Sequence, residues 1–340
     1  MENTYDFLDQ ILCGKRYKWC VTGAAGFIGS HLVEALLRNN QSVVGVDSLV
    51  TGKAKNIEDV RKAVGFDLSN NLMFYKADIK DTGEIKELFS GCDFVLHQAA
   101  LGSVPRSMKE PILYHENNVV GTVSVFEAAR AANINRVVYA SSSSVYGDNT
   151  DLPKIESKIG SALSPYALSK QMNELDASLY NRVFGLSCVG LRYFNVFGPR
   201  QDPGGAYAAV IPKWVTGLAK GNICEIYGDG STSRDFSPVP NIVLANILVA
   251  LSDVLPAHVF NVGLGQSTSL KDLFGLIRST VVASQTDYGV RVQGAPVFQP
   301  ERLGDIRHSC ADISSLKTVG YREVMSLESG IDFTVKSFIS

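Results

Sequence analysis

Over its first 190 residues the chain alternates short apolar runs with longer stretches in which apolar side chains recur every three or four positions. Residues 17–22 read as a buried strand, and Phe27, Ile28, Leu32, Leu36 and Leu37 then mark one face of a helix. A second strand over 42–46 ends at Asp47, a third over 72–75 reaches Asp78, and a fourth over 93–96 opens into His97, Gln98 and Ala99. Val119, Val123, Phe126, Ala129 and Ala132 give residues 119–132 a helical apolar face. The strand over 136–140 delivers four consecutive serines, Ser141 to Ser144, at its carboxyl end, and another strand spans 186–191. Such alternation predicts a doubly wound parallel α/β sheet, whose ligands bind beyond the carboxyl ends of the strands. After Pro199 the pattern lapses into loop-rich stretches at 201–205 and 227–231, and a helix over 239–251 returns to the sheet. The predicted division is a sheet domain over 1–199 plus 237–263 and a smaller C-terminal α+β lobe over 200–236 plus 264–340.

The first strand runs directly into Gly23, Ala24, Ala25, Gly26, Phe27, Ile28 and Gly29. A strand, a glycine turn, a helix and a strand ending in an acid are the context a dinucleotide-binding (Rossmann) fingerprint requires. Gly23 permits the tight turn, Gly26 lets the backbone approach a pyrophosphate, and Gly29 lets helix and strand pack closely. The helix N-terminus offers unpaired N–H groups to phosphate charge. Asp47 suits a ribose 2′-hydroxyl and repels a 2′-phosphate, which favours NAD over NADP.

Tyr166 and Lys170 stand four residues apart in a stretch, 164–184, that reads as helical, so they share one face. A phenol titrates at about 10, and a neighbouring ammonium lowers it by about 1–3 units, toward a general base working near neutral pH. A serine of the 141–144 run is available to orient a substrate oxygen. By itself the spacing equally suits a core tyrosine beside a solvated lysine; the nucleotide fingerprint is what gives it chemical meaning.

Net charge is −2 with dispersed basic residues, so neither nucleic acid nor an anionic membrane is indicated as a partner. The six cysteines lack any C-x-x-C spacing, and reduced buried thiols with no metal site fit a cytoplasmic protein. No apolar run suits a signal peptide or a membrane span.

With these residues in view, the chain resembles the extended short-chain dehydrogenase/reductases, and among them the UDP-hexose 4-epimerases, over nearly all its length after residue 17. The motifs are residues 23–29, Asp47, Asp78 with Ile79, 97–101, 118–122, 141–147, Tyr166 with Lys170, 192–199, 233–236 and 302–305. The phrases at 101–107 and 205–212 are similar to the branch acting on N-acetylated UDP-sugars in surface polysaccharide synthesis. The resemblance implies tightly held NAD, with Tyr166 taking the proton of the sugar 4-hydroxyl while C4 gives up a hydride. It implies that a 4-keto sugar then turns over and is reduced on its other face. Lys170 would hold the nicotinamide ribose and keep Tyr166 ionised, and Ser142 would bridge the 4-hydroxyl to Tyr166. Gln98, Ala99 and Asn118 would help hold the cofactor, with Asp78 and Ile79 at the adenine. Asn195, Arg234 and Arg302 would clamp the diphosphate of a UDP-sugar, where paired guanidinium hydrogen bonds suit the charge. Ala209 and Val210 would meet the uracil, while Gly102, Ser103 and Ser143 would lie near the hexose. At Ser309, seven residues after Arg302, relatives restricted to plain hexoses carry a bulky tyrosine, so the serine implies room for an N-acetyl group. A homodimer through a four-helix interface is implied by apolar residues beyond one core stripe near 118–132 and 166–184.

One stretch departs from the family pattern. After Phe236 an acidic helix cap is expected, and Ser237, Pro238, Val239 and Pro240 stand there instead. A 4-epimerase of UDP-uronic acids is an alternative reading, needing a cation near C6. A 4,6-dehydratase would need an Asp-Glu pair where Ser143 and Ser144 stand, and a non-catalytic nucleotide sensor would be expected to lack Tyr166 or Lys170.

Overall fold

The structure, a computed structural model, describes residues 5–204, 209–284, 294–301 and 307–339. Seven parallel strands form the central sheet: β1 (Lys18–Thr22), β2 (Ser42–Asp47), β3 (Leu72–Lys76), β4 (Phe94–His97), β5 (Arg136–Ser142), β6 (Ser187–Tyr193) and β7 (Val259–Val262). Their order is β7-β6-β5-β4-β1-β2-β3. The order reverses between β1 and β4, which opens a crevice at their carboxyl ends. This is the Rossmann-like α/β architecture expected.

Both sheet faces are covered, because successive side chains of a strand point to opposite faces. Trp19 and Val21 of β1 pack into one core with Leu32 and Leu36 of the helix Phe27–Arg38 and Ile242 and Ile247 of the helix Val239–Leu251. Cys20 packs into the other with Ile85 and Phe89 of Thr82–Phe89 and Val125 and Phe126 of Gly121–Ala131. The helix Pro165–Leu179 lies on this second face, with Ala177 in the core. Two expected helices carry an irregularity: 119–132 is preceded by a π-helical turn, His115–Val120, and 164–184 ends in another, Tyr180–Phe184. Such wide turns recur at functional sites.

A third core joins Trp214 of Val210–Ala219, Phe274 and Ile277 of Leu270–Ser284, and Ile331 of Leu327–Ile339. Asp235, wholly buried, ties this lobe to its neighbours by accepting from the N–H groups of Leu264, Gly265 and Ala311 at 2.8, 2.9 and 3.1 Å. The predicted lobe boundary needs one correction. Ala311, Ile313, Leu316 and Tyr321 pack in the larger core beside β7, although they fall in the 264–340 part of the smaller lobe. We propose the remainder of that division as the lobe boundary.

The two prolines also find a physical role. Pro238 is the N-cap of Val239–Leu251 and Pro240 lies in its first turn, where a missing N–H is harmless. A Cβ on Gly330 would come within 2.7 Å of the Pro238 ring, so the ring packs flush on the C-terminal helix. A short helix, Phe7–Leu12, precedes the motifs; Tyr5, Leu8 and Leu12 bury its inner face, and the Tyr5 hydroxyl meets His31 Nδ1 at 2.6 Å.

Candidate active site

The glycine turn leaves β1 at Thr22 with Gly23 at φ +68°, a left-handed conformation that favours glycine. A Cβ there would sit 2.7 Å from Ala99 N, and one on Gly29 would sit 2.0 Å from the Gly23 carbonyl oxygen. Gly26 caps the helix Phe27–Arg38 with no side chain to occupy its first-turn N–H groups. At the end of β2, Asp47 accepts from Ala25 N at 2.9 Å and Leu49 N at 2.8 Å. Burial raises its carboxyl above the usual range while those two bonds work against the rise.

These elements wall a cleft of about 490 Å³. Of the expected cofactor residues, Gly23, Ala25, Gly26, Phe27, Ile28 and Gly29 line its floor, with Asp47, Asp78 and Ile79 at the ends of β2 and β3. Gln98 and Ala99 after β4, Gly102, Ser142, Tyr166 and Lys170 complete the wall at the other end. Asn118 stands behind it, wholly buried: its amide bonds Leu101 N at 2.8 Å and Leu101 O at 3.0 Å and donates to Ser169 Oγ at 3.1 Å.

Ser142 ends β5, and its Oγ accepts from Ser144 N at 3.1 Å and is hydrogen-bonded to the Tyr166 phenol. Ser164 caps the helix carrying Tyr166, accepting from Ala167 N at 3.1 Å. Lys170 is 3% exposed, and its ammonium donates to the Ala140 carbonyl at 2.8 Å. Burial pulls its pKa down to about 8, and the carboxylate of Glu174 pulls the other way. Burial raises the Tyr166 phenol, and the bond from Ser142 works against the rise.

Behind Lys170 lies a buried ion pair. Glu174 accepts from Arg192 Nε at 2.9 Å and Nη2 at 2.7 Å, and from Ser141 Oγ at 2.6 Å. Ser141 and Arg192 are register neighbours on β5 and β6, so the carboxylate spans both strands. His97 is also buried; Thr22 meets its Nδ1 at 2.7 Å and Thr122 its Nε2 at 3.0 Å. Burial, aided by the Lys170 charge, depresses it to about 3, so it is neutral and structural.

Among the described residues, the expected substrate residues other than Gly102 and Ser142 lie off the wall of this cleft. Asn195 Nδ2 donates to Asp235 O at 3.1 Å, and Arg234 Nη1 donates to Ser233 O at 2.9 Å and Arg307 O at 3.1 Å. Ser309, 8% exposed, donates its N–H to Ser233 O at 3.1 Å, so Arg234 and Ser309 meet at one short strand, Ser233–Arg234. Ala209 caps the helix begun by Val210, Ser103 caps Val104–Lys109, and Ser143 starts the turn Ser143–Tyr146. Arg302 lies outside the described residues.

Several wall residues escaped the sequence reading. Lys53 pairs with Asp202 at 2.9 Å, Asn56 Nδ2 donates to Ala25 O at 2.8 Å, and Tyr193 and Arg200 also face the cleft. The polar run after Asp47 was the available signal, because it must follow the carboxyl end of β2.

The glycine cradle that a Cβ would fill, the helix N-terminus that no side chain caps and the acid at the end of β2 fit NAD. Together with a Tyr/Lys pair and a serine at the end of β5, they define a site of the short-chain dehydrogenase/reductase class. A family model described as the NAD dependent epimerase/dehydratase family matches residues 19–263, and the chain belongs to that family, with NAD as cofactor. A UDP-N-acetylglucosamine 4-epimerase from Methanobrevibacter ruminantium M1, solved with UDP-N-acetylmuramic acid, is 41% identical over 96% of this chain and 99% of its own, with a TM-score of 0.86. A UDP-glucose 4-epimerase from Mycolicibacterium smegmatis is 38% identical over 94% of this chain and 97% of its own. A Thermus thermophilus UDP-glucose 4-epimerase solved with NAD is 31% identical over 94% of this chain and 98% of its own, with a TM-score of 0.80.

Proposed function

We propose that the protein is an isomerase, an NAD-dependent UDP-N-acetylglucosamine/UDP-N-acetylgalactosamine 4-epimerase working in the cytoplasm in surface polysaccharide synthesis. The observation that carries the chemistry is the convergence of Ser142, Tyr166 and Lys170 on the cleft that holds the glycine turn. Asp47, on β2, stands three strand spacings from β5, roughly 14 Å away. Glu174 is engaged by Arg192 and Ser141. Among the described residues no carboxylate lines the wall beside Tyr166, which disfavours elimination of water and favours simple oxidation and re-reduction at one carbon.

Tyr166, ionised to the phenolate, would take the proton of the sugar 4-hydroxyl as the C4 hydride departs, and Ser142 would bond the same oxygen to hold it on the phenolate. NAD, when bound, supplies the acceptor and then the donor of that hydride. The 4-keto sugar turns over, the hydride returns to its opposite face, and Tyr166 gives the proton back to oxygen. Lys170 would hold the cofactor ribose and, with its positive charge, keep Tyr166 ionised. Asn195, Arg234 and Arg302 clamp the diphosphate, Ala209 and Val210 meet the uracil, and Gly102, Ser103 and Ser143 bound the hexose.

The named relatives support a UDP-sugar 4-epimerase; the small side chain at Ser309, buried beside the Arg234 strand, supports the acetylated pair. Purified protein given UDP-N-acetylglucosamine and no cofactor is expected to form UDP-N-acetylgalactosamine. Ser309→Tyr is expected to lower acetylated turnover about tenfold or more, the discrimination available to a steric pocket, and plain hexose turnover much less. Product that requires stoichiometric NADH would refute the epimerase, and equal losses would refute the pocket.

We also propose a homodimer. Val120 within 118–132, and Leu168, Leu175, Leu179, Val183 and Phe184 within 166–184, are exposed, as is Ile112 just before the first stretch, and a second copy would cover them as a four-helix interface. Light scattering at micromolar concentration is expected to give twice the chain mass; the single mass would remove the proposal.

A further inference from the structure

Residues 101–103 connect β4 to the helix Val104–Lys109 and bring Gly102 to the cleft wall near Tyr166. This turn is held in an unfavourable conformation: Ser103 has φ +84° and ψ 104°, a region that non-glycine residues rarely occupy. Something must over-determine it. Asn118 pins both backbone groups of Leu101 from behind. The second anchor is Tyr114, last residue of the helix Pro111–Tyr114 and wholly buried. Its hydroxyl donates to the Gly102 carbonyl and is hydrogen-bonded to the Ser103 side chain. Its ring also meets the Tyr166 ring edge to face, with centroids 6.3 Å apart and planes at 89°.

One side chain thus touches both walls of the space a hexose would fill: its hydroxyl holds the loop and its ring supports the catalytic phenol. We propose that Tyr114 is a positioning residue that sets the gap between Tyr166 and residues 101–103, and so decides how closely the sugar ring is held while its C4 oxygen is on the phenol. The inference deepens the epimerase reading and rests on it. The mechanism uses neither the Tyr114 proton nor its charge, so what it contributes is distance. A hydrogen bond between side chain and backbone carbonyl fixes the loop, and the edge-to-face contact limits rotation of the Tyr166 ring.

Two variants separate these functions, read by calorimetric binding of UDP-N-acetylglucosamine, by kcat and by the NAD content of the purified protein. Tyr114→Phe keeps the ring and releases the loop: Kd is expected to rise about tenfold, the scale of one lost side chain–backbone hydrogen bond, with kcat within about threefold. Tyr114→Leu also removes the ring contact, and kcat is expected to fall about a hundredfold, as a shift near 1 Å at the reacting groups would cause. NAD content is expected to match the wild type in both. Wild-type Kd and kcat in Tyr114→Phe would overturn the proposal. So would loss of NAD or of cooperative unfolding in Tyr114→Phe, which would mark a merely structural role. If the wild-type protein binds the nucleotide sugar without epimerising it, the epimerase reading fails alone, and the Kd comparison still decides whether Tyr114 holds the loop.

Discussion

Tyr166→Phe is expected to lower kcat for epimerisation about a thousandfold while the protein still holds NAD. Removing a positioned general base typically costs 10²–10⁴ in rate, and Ser142, left alone, has no proton-accepting group to relay to. NAD should stay because the glycine turn, Asp47 and Lys170 are untouched. The ratio of bound nucleotide to protein, measured beside the rate, separates lost chemistry from lost cofactor; a variant that retains a tenth of wild-type kcat would remove Tyr166 from the mechanism. The same pair predicts a pH effect. Burial depresses Lys170 to about 8, below the lysine range. Its charge is therefore present below pH 8 and lost above it, and NAD affinity is expected to weaken as pH passes that point, whereas Lys170→Met should show weaker and flat affinity. Stability runs the other way: between about 8 and the unfolded lysine value near 10.4 the unfolded chain binds the extra proton, so this group makes stability rise with pH.

Glu174→Ala is expected to destabilise the fold by about 3–5 kcal/mol, because it leaves a guanidinium buried without its partner. The Arg192 and Glu174 side chains are only 4% and 10% exposed and meet at 2.7 Å. Burial alone would pull the guanidinium down, but the hydrogen bonds and charge of Glu174 more than offset it and hold Arg192 above its usual value. Its Nη1 also donates to Tyr146 Oη at 3.0 Å and Glu156 O at 2.9 Å, so the unpaired charge would disturb a wider network. The double variant Glu174→Met with Arg192→Met should recover most of the loss, since two apolar groups leave no orphaned charge. Urea unfolding of the three proteins measures this. A single-variant loss under about 1 kcal/mol would mean the pair behaves as a solvated one. Because Glu174 also supports the charge of Lys170, Glu174→Gln should move the midpoint for NAD affinity below 8.

Much of the site was legible before the fold was known. The glycine turn, Asp47, the serine run and the Tyr166/Lys170 spacing are local patterns, and the helix expected over 239–251 is the one observed, Val239–Leu251. Local propensity was less informative where tertiary contacts decide. The helix Phe7–Leu12 was missed because six residues carry little periodicity; it is held by the burial of Tyr5, Leu8 and Leu12 and the Tyr5 contact to His31. Residues 311–321 read as part of the smaller lobe because they follow it in sequence, yet Ile313 and Leu316 fill space beside β7.

By itself, then, the sequence determined the class of sheet, the cofactor turn and which residue types stand at the strand ends, since each depends on neighbours within a turn or a strand. Only the tertiary structure decided what those side chains meet: Lys170 bonds Ala140, Asn118 pins Leu101 from behind the cleft wall, and Tyr114 touches Tyr166. Lys170 and Ala140 are 30 positions apart, and Tyr114 and Tyr166 are 52 apart. Packing of helices against the sheet brings such groups together, and burial then sets their charge, so neither follows from spacing along the chain.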